Sequence, residues 1–134
     1  MFWLSHHPPE QWNRTYCVRG THLCARCLGA YPTAFVAIVA QLLLQAPLRW
    51  GGETALVLLL TLPALVDWAR GQRDPTGGTN LGRTATGVLL GLALGRTLYV
   101  HLRDPWPPAL RWQLAMITAV VVPVLVLASR RKRG

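Results

Sequence analysis

The sequence predicts an all-α protein: an integral membrane bundle of four transmembrane helices with a short N-terminal His/Cys segment, a single domain over 1–134. Three observations carry this. The chain is 51% hydrophobic and only 14% charged, against about a quarter charged in soluble domains. Its apolar residues fall in four runs. Its arginines sit between those runs, not on one folded face as a nucleic-acid-binding module would place them, so no nucleic-acid partner is expected despite a net charge of +9. Richness in Leu and Val excludes disorder. Three cysteines, an odd number, with no cleavable signal peptide, argue against a disulfide scaffold.

The first span is expected over about 28–46, uncharged for 19 residues. That gives about 28 Å of helix, the thickness of the hydrocarbon core. The second, about 51–67, is shorter in its apolar centre, Thr54 to Val66, but Trp50 and Trp68 bracket it as interfacial residues do. A re-entrant or buried hairpin is the alternative there. The third, about 84–102, contains Arg96, costly by about 2.5–3.5 kcal/mol at mid-membrane but near enough to the span end to snorkel or find a partner. The fourth, about 112–129, reads WQLAMITAVVVPVLVLAS, with Pro123 expected to kink it. A basic tail, 130–134, follows. Gly52 with Glu53, and the DPWPP run after Leu102, read as short outer loops.

Orientation follows from the arginines and lysines. Arg14, Arg19, Arg26, Arg70, Arg73, Arg83 and the four tail residues lie on one side, against Arg49, Arg103 and Arg111 on the other. The positive-inside bias places both termini in the cytoplasm of a multi-pass cell-membrane protein. Reporter fusions after Gly134 and in the Ala46 to Gly51 loop should therefore report cytoplasm and exterior respectively; an exterior C-terminus would overturn the four-span arrangement. The cysteines would then face a reducing compartment.

The N-terminal segment, 1–27, carries the metal-ligand types. Cys24 and Cys27 are three apart at the mouth of the first span, so helical or turn geometry points both sulfurs to one side. They can share one metal ion or one disulfide. His6, His7, Cys17 and His22 lie upstream, and a tetrahedral site needs four nitrogen or sulfur ligands. The alternatives are thiol redox chemistry and two reduced cysteines packed at a helix start.

A second polar constellation is expected on the same side. Asp67 ends the second span, Pro75, Gly77 and Gly78 break the chain, and Asn80 and Arg83 open the third span. Asp67, Arg70, Gln72, Asn80 and Arg83 then converge. Asp67 can ligate a metal, act as a base, or pair with Arg70 or Arg83, with Asn80 capping the helix. Asn80 and Arg83 at a helix N-terminus also suit an anionic lipid or a phosphate-bearing small molecule. In a bundle whose helices pack about 8–10 Å apart, Asp67 and Arg83 are expected close to the Cys24 and Cys27 sulfurs. Gly87, Gly91 and Gly95 recur at four-residue spacing, a stripe that admits a closely packed helix partner.

The order Ser5-His6-His7-Pro8, Arg14, Cys24-Ala25-Arg26-Cys27-Leu28-Gly29, Asp67, Asn80, Arg83, Thr86-Gly87 resembles the domain-of-unknown-function 2085 family of small prokaryotic membrane proteins. That family's pattern runs Cys-His-Gln, a proline and an arginine, then Cys-x-Arg-Cys-x-Gly before a first span. An aspartate near the end of the second span and Asn-x-x-Arg-x-x-Thr-Gly entering the third complete it. The resemblance implies that His6, Cys24, Cys27, Asp67, Asn80 and Arg83 occupy motif positions. Here Ser5 stands where the family has cysteine and His7 where it has glutamine, so His7 or Cys17 would have to replace a cysteine ligand.

These readings lead to a zinc or iron site at His6, Cys24 and Cys27, with a fourth ligand from His7, Cys17 or Asp67. Such a metal would either pin the segment onto the bundle or act on a lipid or small substrate. Two rivals remain: a membrane thiol-disulfide oxidoreductase using the C-x-x-C pair, and a non-enzymatic accessory or lipid-binding protein.

Overall fold

The computed structural model describes residues 9–74 and 77–131. Four helices, α1 (Ala25–Leu43), α2 (Glu53–Arg73), α3 (Asn80–Arg103) and α4 (Pro108–Arg131), follow a short N-terminal head. All four are long and apolar enough to cross a membrane. The short second run is one continuous helix of 21 residues, about 31 Å long, and not a hairpin. Its polar ends, Glu53 and Arg70 to Arg73, extend the helix beyond the apolar centre. The fourth helix likewise continues unbroken through Pro123.

The head has regular structure of its own. A 3₁₀ turn, Pro9–Arg14, leads into β1 (Thr15–Val18) and β2 (Thr21–Cys24), an antiparallel ribbon with Thr15 opposite Cys24 and Cys17 opposite His22. Arg19 and Gly20 both have positive φ, 50° and 78°, as the tight two-residue hairpin matching strand twist requires. Strands of four residues are too short for an alternating pattern to announce them. β2 passes directly into α1, with Cys24 as the helix N-cap residue.

Helix packing uses small residues. A Cβ on Gly87 would lie 2.3 Å from the Arg26 carbonyl oxygen, one on Gly91 2.5 Å from that of Ala30, and one on Gly29 2.3 Å from that of Thr84. α1 and α3 therefore run parallel at backbone contact, and the glycine stripe expected to receive a helix partner is occupied by α1 of the same chain. Such close approach is how helices associate in a medium as apolar as their own side chains.

α2, α3 and α4 meet around Val57, Ala93 and Ala109, with Leu60 against them. Beside them lies a fully buried chain of polar groups. Gln113 Nε2 donates to Thr61 Oγ1 at 2.9 Å, and Thr97 Oγ1 donates to Gln113 Oε1 at 2.9 Å. Away from water an unmatched amide is costly, so this chain fixes α4 against its neighbours.

At the end of the bundle opposite the head, Arg96 finds the partner the sequence required. Its Nε donates to Glu53 Oε1 at 2.7 Å, Nη1 to Gln41 Oε1 at 3.0 Å and Nη2 to the Pro47 carbonyl at 2.7 Å. Nearby, Arg49 pairs with Asp104 at 2.5 Å, and this contact raises the Arg49 pKa.

Candidate functional site

At the head end, three arginines are brought together by elements distant in sequence. Arg26 lies in the first turn of α1, where a cation opposes the helix dipole and needs an anion. α2 supplies it: Arg26 Nη2 donates to Asp67 Oδ2, both side chains about a quarter exposed. Arg26 Nε is buried and has no hydrogen-bond partner among the described residues.

Arg14, buried at the end of the 3₁₀ turn, donates from Nη2 to the Gly71 carbonyl at 2.5 Å. A Cβ at position 71 would stand 3.3 Å from both terminal nitrogens of Arg14, so glycine lets the guanidinium lie against α2. Arg83, buried in the first turn of α3, donates to the Gly77 carbonyl at 2.6 Å and to Asn80 Oδ1 at 3.3 Å. Burial, then the charges of Arg83 and Arg26, lower the pKa of Arg14, while Asp67 and Asp74 oppose the shift. Three guanidiniums and two carboxylates thus share one electrostatic neighbourhood.

The ribbon is stitched to the opening of α3. Asn80 Nδ2 donates to the Thr15 carbonyl at 3.1 Å, and the Tyr16 hydroxyl lies 3.3 Å from Thr84 Oγ1. Thr84 Oγ1 is also 3.1 Å from the Ala25 carbonyl oxygen. The cap of α3 is Thr79, whose Oγ1 accepts from the Gly82 amide at 3.1 Å. Asn80, expected as that cap, instead holds the ribbon and Arg83.

Cys24 is buried and Cys27 half-buried at the start of α1. Cys17 is exposed on β1, opposite His22, whose ring stacks on Trp12 with centroids 4.0 Å apart and whose Nδ1 is 3.0 Å from Thr15 Oγ1. Among the described residues no cluster of three or more His, Cys, Asp or Glu could hold a metal ion. His6, His7 and Pro75 lie outside the described residues.

The second constellation divides. Asp67, Asn80 and Arg83 turn toward the head, and Asp67 pairs with Arg26, not with Arg70 or Arg83. Arg70 is exposed and lines a cavity between α2 and α4, and Gln72 lines another on the same seam. At 3.6 residues per turn Gln72 lies about 140° around α2 from Asp67, while Arg70 lies about 60° away. Arg26, the partner of Asp67, is one of the two residues between Cys24 and Cys27 in sequence. Sequence reasoning assigned no site role to Arg14, Arg26, Tyr16 or Thr84. The signal for Arg26 was a positive charge in the first turn of a span, which had to be compensated from elsewhere.

A family model described as a predicted membrane protein, DUF2085, matches residues 9–97. The chain belongs to the DUF2085 family. The matched stretch takes in the ribbon, α1, α2 and most of α3, and with them Arg14, Arg26, Asp67, Asn80 and Arg83. It begins after Ser5-His6-His7, so that part of the motif lies outside the DUF2085 match, as does α4. No curated protein and no solved structure matches the chain.

Proposed function

We propose that this membrane protein recognises a phosphate-bearing group, a lipid headgroup or a phosphorylated small molecule, at the head where Arg14, Arg26 and Arg83 meet. The crowding of three guanidiniums around the ends of α1, α2 and α3 carries this reading, because their mutual repulsion is relieved by an anion with several acceptor oxygens. Arginine's planar fork suits phosphate better than a point charge does. The buried Arg26 Nε, without an acceptor among the described residues, supports the same reading. With the head on the cytoplasmic side, as the charge bias argues, the group would be presented from the inner leaflet.

Purified protein titrated with inorganic phosphate or glycerol phosphate, against chloride at matched ionic strength, should show a saturable rise in melting temperature. Arg83→Gln should weaken this binding about tenfold or more, the worth of a charge-assisted hydrogen bond. A melting temperature insensitive to both phosphates, or a response unchanged in Arg83→Gln, rejects the reading.

The two free cysteines at the start of α1, Cys24 and Cys27, support a second reading, that the pair ligates zinc or iron together with His6 or His7. Elemental analysis should then find about one metal per chain by the four-ligand requirement, lost in the Cys24→Ser/Cys27→Ser variant. A metal-free pair that cycles with a mild reductant would instead support thiol-disulfide exchange.

A further inference from the structure

A cavity of about 260 Å³ lies between α2 and α4, lined by Leu62, Leu65, Val66, Ala69, Arg70, Arg73 and Val120. Arg73 also lines a smaller pocket with Gln72, Val124, Leu127 and Ala128, so the two share a wall along the α2 and α4 seam. The side of α2 facing this seam repeats at three- and four-residue spacing, from Leu62 through Leu65, Val66 and Ala69 to Arg73. It is apolar along the span and basic where the helix ends. Among the described residues no acidic one lines either cavity, and Asp67, the carboxylate of this stretch, is engaged by Arg26. None of the head residues Arg14, Arg26 or Arg83 takes part.

We propose that this seam holds one anionic phospholipid, an acyl chain against Leu62, Leu65 and Val120 and the headgroup phosphate between Arg70 and Arg73. In a bilayer the apolar part of such a seam meets acyl chains in any case. The paired arginines at its polar end are what select an anionic headgroup, as basic pockets between transmembrane helices do. A protein partner would have to bring its own acidic groups to these two cations, whereas a single phosphate satisfies both. The proposal uses residues disjoint from the head, so it stands or falls separately from the function proposed there.

The test is native mass spectrometry of the full chain in detergent with phosphatidylglycerol and phosphatidylcholine of identical chains. We expect about one phosphatidylglycerol retained per protein, preferred over phosphatidylcholine. Arg70→Gln and Arg73→Gln should each weaken retention about fivefold, and the double variant should lose the preference; both side chains are exposed, so folding is spared. Arg70→Lys/Arg73→Lys should keep most of it. Val120→Trp, which fills the cavity, should lower retention of both lipids. A preference surviving the double glutamine variant overturns the proposal. So does equal competition by soluble glycerol phosphate, since that would show a headgroup site without the acyl groove.

Discussion

Replacing Glu53 by alanine should destabilise the protein by about 3–5 kcal/mol, the cost of leaving a buried charge without its partner. The Arg96 and Glu53 side chains are only 13% and 11% exposed, and they meet at 2.7 Å. Arg96 would retain Gln41 and the Pro47 carbonyl, neutral acceptors that orient a guanidinium without neutralising it. The double variant Glu53→Ala/Arg96→Met should be milder than Glu53→Ala alone, because removing both charges removes the desolvation penalty along with the attraction. Equilibrium unfolding in detergent micelles measures both. A Glu53→Ala protein within about 1 kcal/mol of the parent would place the pair with the weakly contributing surface pairs. The exposed Arg49 and Asp104 pair serves as the internal comparison, and its removal should cost little.

Gly87→Leu should prevent assembly of the native bundle, and Gly87→Ala should cost at least the about 1–3 kcal/mol typical of overpacking. The atom in the way is the Arg26 carbonyl oxygen, 2.3 Å from where a Cβ would stand. It is backbone and cannot rotate aside, so α1 and α3 must separate. Separation would also pull the Ala25 carbonyl from Thr84, a contact that holds the start of α1 against α3. The loss should therefore appear both in melting temperature and in increased reactivity of the buried Cys24 thiol toward alkylating reagents. Gly20→Ala, at the open tip of the ribbon with nothing near its missing Cβ, should leave the helices folded and cost only the strain of its left-handed backbone. Unaltered thermal stability and Cys24 protection in Gly87→Ala would contradict the close packing of α1 on α3.

The bilayer makes much of this fold legible in the apolar pattern. Long apolar runs favour helices, because in hydrocarbon each backbone group must be satisfied within its own segment, although the second run also admitted a hairpin. Arg96 had to snorkel or find a partner, and the glycine stripe favoured a closely packed helix. Packing across the bundle selects which groups answer. Glu53 and Gln41 were legible as polar residues near span ends, but not as the ligands of Arg96, since they lie 43 and 55 residues away. The glycines found α1 and not a second protein. The head was the least legible part. Its ribbon strands are four residues long, too short for periodicity to mark them, and the polar groups near α2's end were read as one convergent set. Asp67 instead pairs with Arg26 while Arg70, its neighbour three residues on, lines the α4 seam, a division that their spacing does not announce. Local chemistry states which charges must be compensated; the direction in which each helix face points, set by packing across the whole bundle, states by what.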